Sequence, residues 1–228
     1  MYNLLFLLAF LFSFNACGKP IVDKISIGDT LRETHSRQIR SYKEARLHLF
    51  GNLHYDNGVI TDVYCDEDYD AKHGVGQGRI PNPDFINCEH TWPQSKFKGS
   101  EKSSMLTDLH HLFPSNSRAN SVRGNHPFNK ANKGTHVCGN SYIDSINGQA
   151  SFEPPDHHKG NVARALFYFS TRYNLPIDRA QESVLREWHI LDPIDDFEIQ
   201  RNNKIKDIQG NSNIFIDEPS MVDQIEDF

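Results

Sequence analysis

At 228 residues the chain has room for one substantial core, or a core with an appendage, but hardly for two full domains. A hydrophobic fraction of 37% and a charged fraction of 24% describe an ordinary soluble globular composition, and the formal net charge of −6 weighs against a generally basic nucleic-acid binder. That average hides an uneven distribution. Between Glu89 and His136, the bases Lys96, Lys98, Lys102, Arg118, Arg123, Lys130 and Lys133 outnumber Glu89, Glu101 and Asp108, whereas Asn213 to Phe228 carries only acids. A locally basic site on an acidic protein stays compatible with DNA or RNA.

Residues Leu4 to Phe14 form an apolar run too short to span a bilayer and suited to a signal-peptide core. The run leads to Ala16-Cys17, a small residue before a cysteine, as at a bacterial lipoprotein processing site. Residues 1–17 are therefore expected to be an export signal of lipoprotein type, with Cys17 as the anchor to a membrane, the other reading being ordinary signal cleavage nearby with Cys17 lost or unmodified. With Cys17 set aside, Cys65, Cys88 and Cys138 remain, which suggests one disulfide and one buried thiol without fixing the pair. These cysteines lack the CxxC or HxxxH spacing of a zinc site.

Asp29 to Phe50 reads as one amphipathic helix on the spacing of Leu31, Ile39, Tyr42, Ala45 and Leu49, with Gly51 as its stop. Asp56-Asn57-Gly58 marks a turn into a strand from Val59 to Cys65. The acidic cluster Asp66 to Asp70 lacks the glycine and terminal Glu of an EF-hand loop and reads as a solvated turn. A Gly/Pro-rich loop, Gly74 to Pro83, leads into a strand ending at Cys88-Glu89-His90, then a second apolar run from Leu109 to Pro114. A short helix follows, with Pro114 and Ser115 at its start and Gly124 at its end.

The polar loop from Gly124 to Gly139 reads as substrate-facing. A strong helix begins at Asp156 with Val162, Ala165, Leu166, Phe169 and Tyr173 on one face, ending at Asn174. A shorter one carries Trp188. The last is expected to start at Asp192-Pro193, to bury Ile194, Phe197, Ile205 and Ile208, and to close at Gly210. From Asp217 onward the chain is expected to be a mobile acidic tail.

Phosphodiester hydrolysis needs an activated water and charge relief on the phosphate and leaving oxygens. Mg²⁺ retains several waters and takes only one or two protein oxygens, so a Glu carboxylate and an Asn carbonyl suffice to hold it. A neighbouring His can take the proton from the attacking water. Glu89, His90 and Asn120 are residues of those types. As isolated letters they would more often be a satisfied polar pair at a strand end and an ordinary helical Asn.

Their order is more specific. Glu89-His90 with Pro93, then Asp108-Leu109-His110 and Pro114, Asn120, Arg123 and Asn125, resembles the bacterial endonuclease I family of ββα-metal (His-Me finger) nucleases. The likeness extends to Tyr42-Lys43-Glu44-Ala45-Arg46, to Gly160-xx-Ala163-Arg164-xx-Phe167-Tyr168 and to Trp188-xxx-Asp192-Pro193 with Arg201-Asn202 and Gln209-Gly210-Asn211, so it covers roughly residues 30–216.

The resemblance implies an α+β fold, a mixed single domain over residues 18–216 containing a ββα-metal motif. It implies His90 as general base and Glu89 and Asn120 as ligands of Mg²⁺, with Ca²⁺ or Mn²⁺ as alternatives. Arg118, Arg123, Lys130 and Arg164 are expected to meet substrate, and His110 and Asn125 to support the site, Arg123 also bracing the helix end. Arg164 is weighed equally as a salt-bridged residue. Leu106 stands where some members carry an acid, and the role of His111 is open.

The expected activity is that of an exported, monomeric, metal-dependent and sequence-nonspecific endonuclease on DNA and also RNA. It would be located outside the cytoplasm: periplasmic, outer-membrane-anchored or secreted. A non-catalytic nucleic-acid-binding surface lipoprotein on the same scaffold is the alternative, and a plasmid-nicking assay with and without EDTA separates the two.

Overall fold

The computed structural model describes residues 13–14, 20–34, 39–131, 134–146 and 148–228. Cys17, Lys133 and most of the expected export signal fall outside these residues. Two short strands, β1 (Ser13–Phe14) and β2 (Pro20–Ile21), pair ahead of helix α1 (Lys24–Thr34). Among the described residues no helix is long and apolar enough to cross a membrane.

The expected single helix up to Phe50 is divided. Helix α1 stops at Thr34, and α2 (Tyr42–His48) starts afresh behind Ser41, whose side chain accepts from the Glu44 backbone N–H. Glu44 in turn accepts from the Arg40 backbone N–H at 2.8 Å. These caps satisfy free N–H groups that a continuous helix would not expose. Gly51 does not stop α2 but lies within a π-helical turn, Leu49–Leu53, where an added Cβ would collide with the Gly78 backbone.

The turn at Asn57-Gly58 is present, both residues having positive φ, but the strand after it is short. Only β3 (Ile60–Thr61) pairs, with β4 (Asp68–Tyr69). Beyond it, the buried Asp62 carboxylate accepts backbone N–H groups from Tyr64, Cys65, Glu67 and Asn116 and curls the chain into a loop. A disulfide joins Cys65 to Cys138, and Cys88 is a buried free thiol.

At the centre, β5 (Ile86–His90) runs antiparallel to β6 (Leu112–Asn116), in register from Ile86 opposite Asn116 to His90 opposite Leu112. Helix α3 (Lys102–Thr107) and a 3-10 turn, Leu109–His111, lie between them. Helix α4 (Ser117–Arg123) follows β6 at once, so Pro114 and Ser115 belong to the strand. The cap is Asn116, whose Oδ1 accepts from Arg118 N and Ala119 N at 3.0 Å each. This is the ββα unit.

Beyond it, β7 (Thr135–Cys138), β8 (Ser141–Ile146) and β9 (Gln149–Glu153) form an antiparallel meander. Helix α5 (Asp156–Tyr173) is buried on nearly every side, not on one stripe, and is the axis of the larger core with Trp92, Phe128, Phe152, Trp188, Phe215 and Phe228. A second core gathers Leu49, Phe50, Leu53, Ile86, Leu109, Leu112 and Ile205. The β5–β6 hairpin therefore lies between two apolar masses, and its end is held where the chemistry is expected.

Helices α6 (Arg179–Leu191), α7 (Asp196–Gln209) and α8 (Ile214–Asp217) complete the fold. Helix α7 starts behind Asp195, later than Asp192-Pro193, and its inward face is largely polar: Glu198, Arg201, Asn202, Ile205 and Gln209 are buried while Phe197 is exposed. The acidic tail is not loose. Phe228 is fully buried, stacked on Phe167 at 4.3 Å, and its carbonyl accepts from Ile177 N at 2.7 Å. Arg186 further donates to the carbonyls of Val222 and Ile225.

Candidate active site

An open cleft of about 470 Å³ is lined by Glu89, His90, Gln94, Asn120, Arg123 and Asn125, among others. Strand β5 supplies the first two, and α4 supplies Asn120 across the motif. Glu89 is 2% exposed. Its Oε1 accepts from the Tyr64 hydroxyl at 3.0 Å and pairs with Arg123 Nη1 at 3.0 Å. Burial pushes its carboxyl pKa up, and Arg123 then Tyr64 pull it back toward ionisation.

Asn120 is held through its nitrogen. Its Nδ2 donates to Asn87 Oδ1 at 2.6 Å and to the Cys88 carbonyl at 3.3 Å, which turns the acceptor Oδ1 away from these two bonds. Hard oxygens from Glu89 and Asn120 suit a small divalent cation that keeps most of its water. Among the described residues there is no group of three or more His, Cys, Asp or Glu placed to hold a metal.

His90 sits at the end of β5 with both ring nitrogens engaged. Nε2 lies 3.2 Å from the Leu106 carbonyl and Nδ1 lies 3.1 Å from Gln94 Nε2. A carbonyl only accepts and an amide nitrogen only donates, so Nε2 carries the proton and Nδ1 the lone pair. Burial chiefly, against a raising effect of the Leu106 carbonyl, lowers the pKa to about 4 and keeps the ring neutral. His111 packs edge-on at 5.3 Å behind it and donates from Nε2 to the Met105 carbonyl at 2.7 Å.

A family model described as Endonuclease I matches residues 24–220. The chain belongs to the endonuclease I family. It is 36% identical to an extracellular ribonuclease of Bacillus subtilis, over 61% of this chain and 53% of that protein. Against an extracellular deoxyribonuclease of Aeromonas hydrophila it is 31% identical, over 80% of this chain and 90% of the relative. An Endonuclease-1 of Buchnera aphidicola is 26% identical over 58% of this chain and 59% of its own length. The chain thus spans about half the length of the Bacillus ribonucleases it matches.

Seen as an endonuclease I member, the protein gathers Glu89, His90, Asn120, Arg123 and Asn125 in one cleft. Arg123 is not a free phosphate contact: it is 2% exposed, pairs with Glu89 and donates to the carbonyls of His90 and Thr91. Asn125 donates to Ser95 Oγ at 3.3 Å and so ties the turn after Pro93 to the end of α4. His110 lies in the core, donating to the Asn211 carbonyl at 3.0 Å against the ring of Tyr168.

Arg164 stands elsewhere, and the expected substrate contact is corrected. It is fully buried, with Nε and Nη2 bonded to the two carboxylate oxygens of Glu198 at 2.7 and 2.6 Å. Gly160 belongs with it, since a Cβ there would meet that guanidinium and the Asp192 carbonyl. Lys130 reaches the Glu187 carboxylate on α6, away from the cleft lining. Arg118 is exposed on α4.

Sequence reasoning missed Tyr64 and Gln94. Nothing marked Tyr64, whose hydroxyl arrives through the Asp62 loop. Gln94, four residues after His90 beyond a Pro, was open to the question of what meets the His90 ring. The acid missing at Leu106 removes nothing from the orientation of His90, which uses the backbone carbonyl of that residue.

Proposed function

We propose that the protein is an extracytoplasmic, sequence-nonspecific endonuclease that hydrolyses phosphodiester bonds of DNA and RNA with the help of a divalent cation, Mg²⁺ in the first instance. The observation that carries this reading is the orientation of His90, whose Nε2 proton goes to the Leu106 carbonyl and whose Nδ1 lone pair meets Gln94, a residue lining the same cleft as Glu89 and Asn120. Both nucleic acids appear in the names of the relatives, a ribonuclease and a deoxyribonuclease.

Within the site, His90 Nδ1 receives the proton of the attacking water. Glu89, held by Tyr64 and Arg123, and Asn120, held by Asn87, would ligate the cation, which when bound neutralises charge on the phosphate and the leaving oxygen. Arg118 at the helix surface supplies a phosphate contact. Nothing in the site reads bases, and backbone chemistry does not require it. Attachment to a membrane through Cys17 is a separate proposal, tested by whether Cys17→Ser moves the protein to the soluble fraction.

The test is plasmid nicking over a metal series, with an EDTA control. Cleavage that EDTA stops, and that His90→Ala slows about 10²–10⁴-fold while leaving metal affinity unchanged by calorimetry, is the expected result. Binding without cleavage under every metal would leave the non-catalytic reading in its place.

A further inference from the structure

The lone pair that His90 needs for the reaction is already taken. Nδ1 accepts from the side-chain amide of Gln94 at 3.1 Å, and Nε2 is committed to the Leu106 carbonyl. Nδ1 is therefore the ring nitrogen able to accept a proton, and its bond to Gln94 has to open before water can use it. Of the two partners, the histidine cannot yield. It is 5% exposed, fixed by Leu106 and packed against Tyr42 and His111.

Gln94 is exposed at the mouth of the cleft, on a 3-10 turn (Gln94–Lys96). The buried Pro93 fixes the start of that turn, and Asn125 is bonded to Ser95 within it. Motion of the Gln94 side chain, not of the backbone, is then the economical way to free Nδ1.

We infer that Gln94 is a positioning residue which caps the base in the free protein and transfers its amide to a phosphate oxygen when nucleic acid enters the cleft. This rests on the reading of His90 as the base. The exchange replaces an N–H to imidazole bond by an N–H to phosphate bond, the stronger of the two because the acceptor is charged. It couples exposure of the lone pair to the presence of substrate. A cleft without a phosphodiester keeps its base covered.

The test combines nitrogen NMR of ring-labelled His90 with binding and kinetics of the full protein, using a short DNA duplex. In EDTA, adding the duplex to wild type should move the Nδ1 resonance toward its position in free Gln94→Ala. Gln94→Ala should bind the duplex about 3–10-fold more weakly, the net gain of exchanging a bond to imidazole for one to phosphate, with the loss falling in KM and not in kcat. Gln94→Glu, which offers phosphate a carboxylate, should weaken binding further. A wild type that cleaves while its Nδ1 resonance stays still overturns the handover alone. So does a Gln94→Ala whose loss lies wholly in kcat. A wild type that binds and never cleaves under any metal removes the nuclease reading as well.

Discussion

At the scale of single residues, two arginines close together in sequence are expected to behave in opposite ways. Arg123 is buried against Glu89, so Arg123→Ala leaves a buried carboxylate unpaired and should cost about 3–5 kcal/mol in urea unfolding. Arg118 is exposed on the same helix. Arg118→Ala should stay within about 0.5 kcal/mol in that assay and instead make the salt dependence of duplex binding shallower by about one phosphate contact. An Arg118→Ala as unstable as Arg123→Ala would remove Arg118 from the substrate surface. That Glu89, His90 and Asn120 share one cleft was legible from their order along the chain, not from their types, which are common singly. Tyr64 was not, because its approach to Glu89 depends on the Asp62 loop. Arg164 was ambiguous, since a buried ion pair and a phosphate contact ask for the same guanidinium.

Among the elements, those whose partners are apolar were readable and those packed through hydrogen bonds were not. Helix α5 forms where its hydrophobic period lies and ends at Asn174 in the left-handed region, as expected, although its burial extends well beyond the apolar stripe. Helix α7 contradicts its own apolar pattern because its neighbour is an irregular turn with free backbone groups. Arg201 donates to the carbonyls of Leu109 and Leu112, and Gln209 accepts from Leu109 N while donating to Asp108. A period of apolar residues carries no trace of such a partner. The segment after Asp217 looked loose for its acids, yet Val222, Ile225 and Phe228 alternate with them and are buried. Phe228→Ala should therefore destabilise by about 3–5 kcal/mol in urea, the usual cost of emptying a buried aromatic site. No change in the unfolding midpoint would return this segment to a mobile tail.

For the molecule as a whole, buried neutral histidines set how stability responds to acid. Burial lowers the pKa of His111 and of His158 from the ordinary 6.5 to about 3. The unfolded chain takes up these protons near pH 6.5, the folded one only near 3. Stability from this source is full above pH 6.5 and declines as pH falls, by up to about 1.4 kcal/mol per pH unit for each histidine. Glu89, Asp62 and Glu198, whose pKa burial raises, act in the opposite sense. Urea midpoints between pH 6.5 and 4.5 for wild type and His158→Gln isolate the imidazole share, and the variant should show the flatter profile. An identical slope would mean that His158 is charged in the fold.

The packed end of the chain also bears on its topology. Val22 N donates to the Gln224 carbonyl, so the first core residue is fastened four residues short of Phe228. Four residues reach at most about 14 Å, a gap that a brief Gly/Ser connector spans. Joining Phe228 to Val22 and opening the chain instead at the Asn57-Gly58 turn, where Asn57 is exposed, should yield a circular permutant with the same fold. Its failure to fold would show that the order in which the ββα unit and α5 are made matters, and not only where they finally lie.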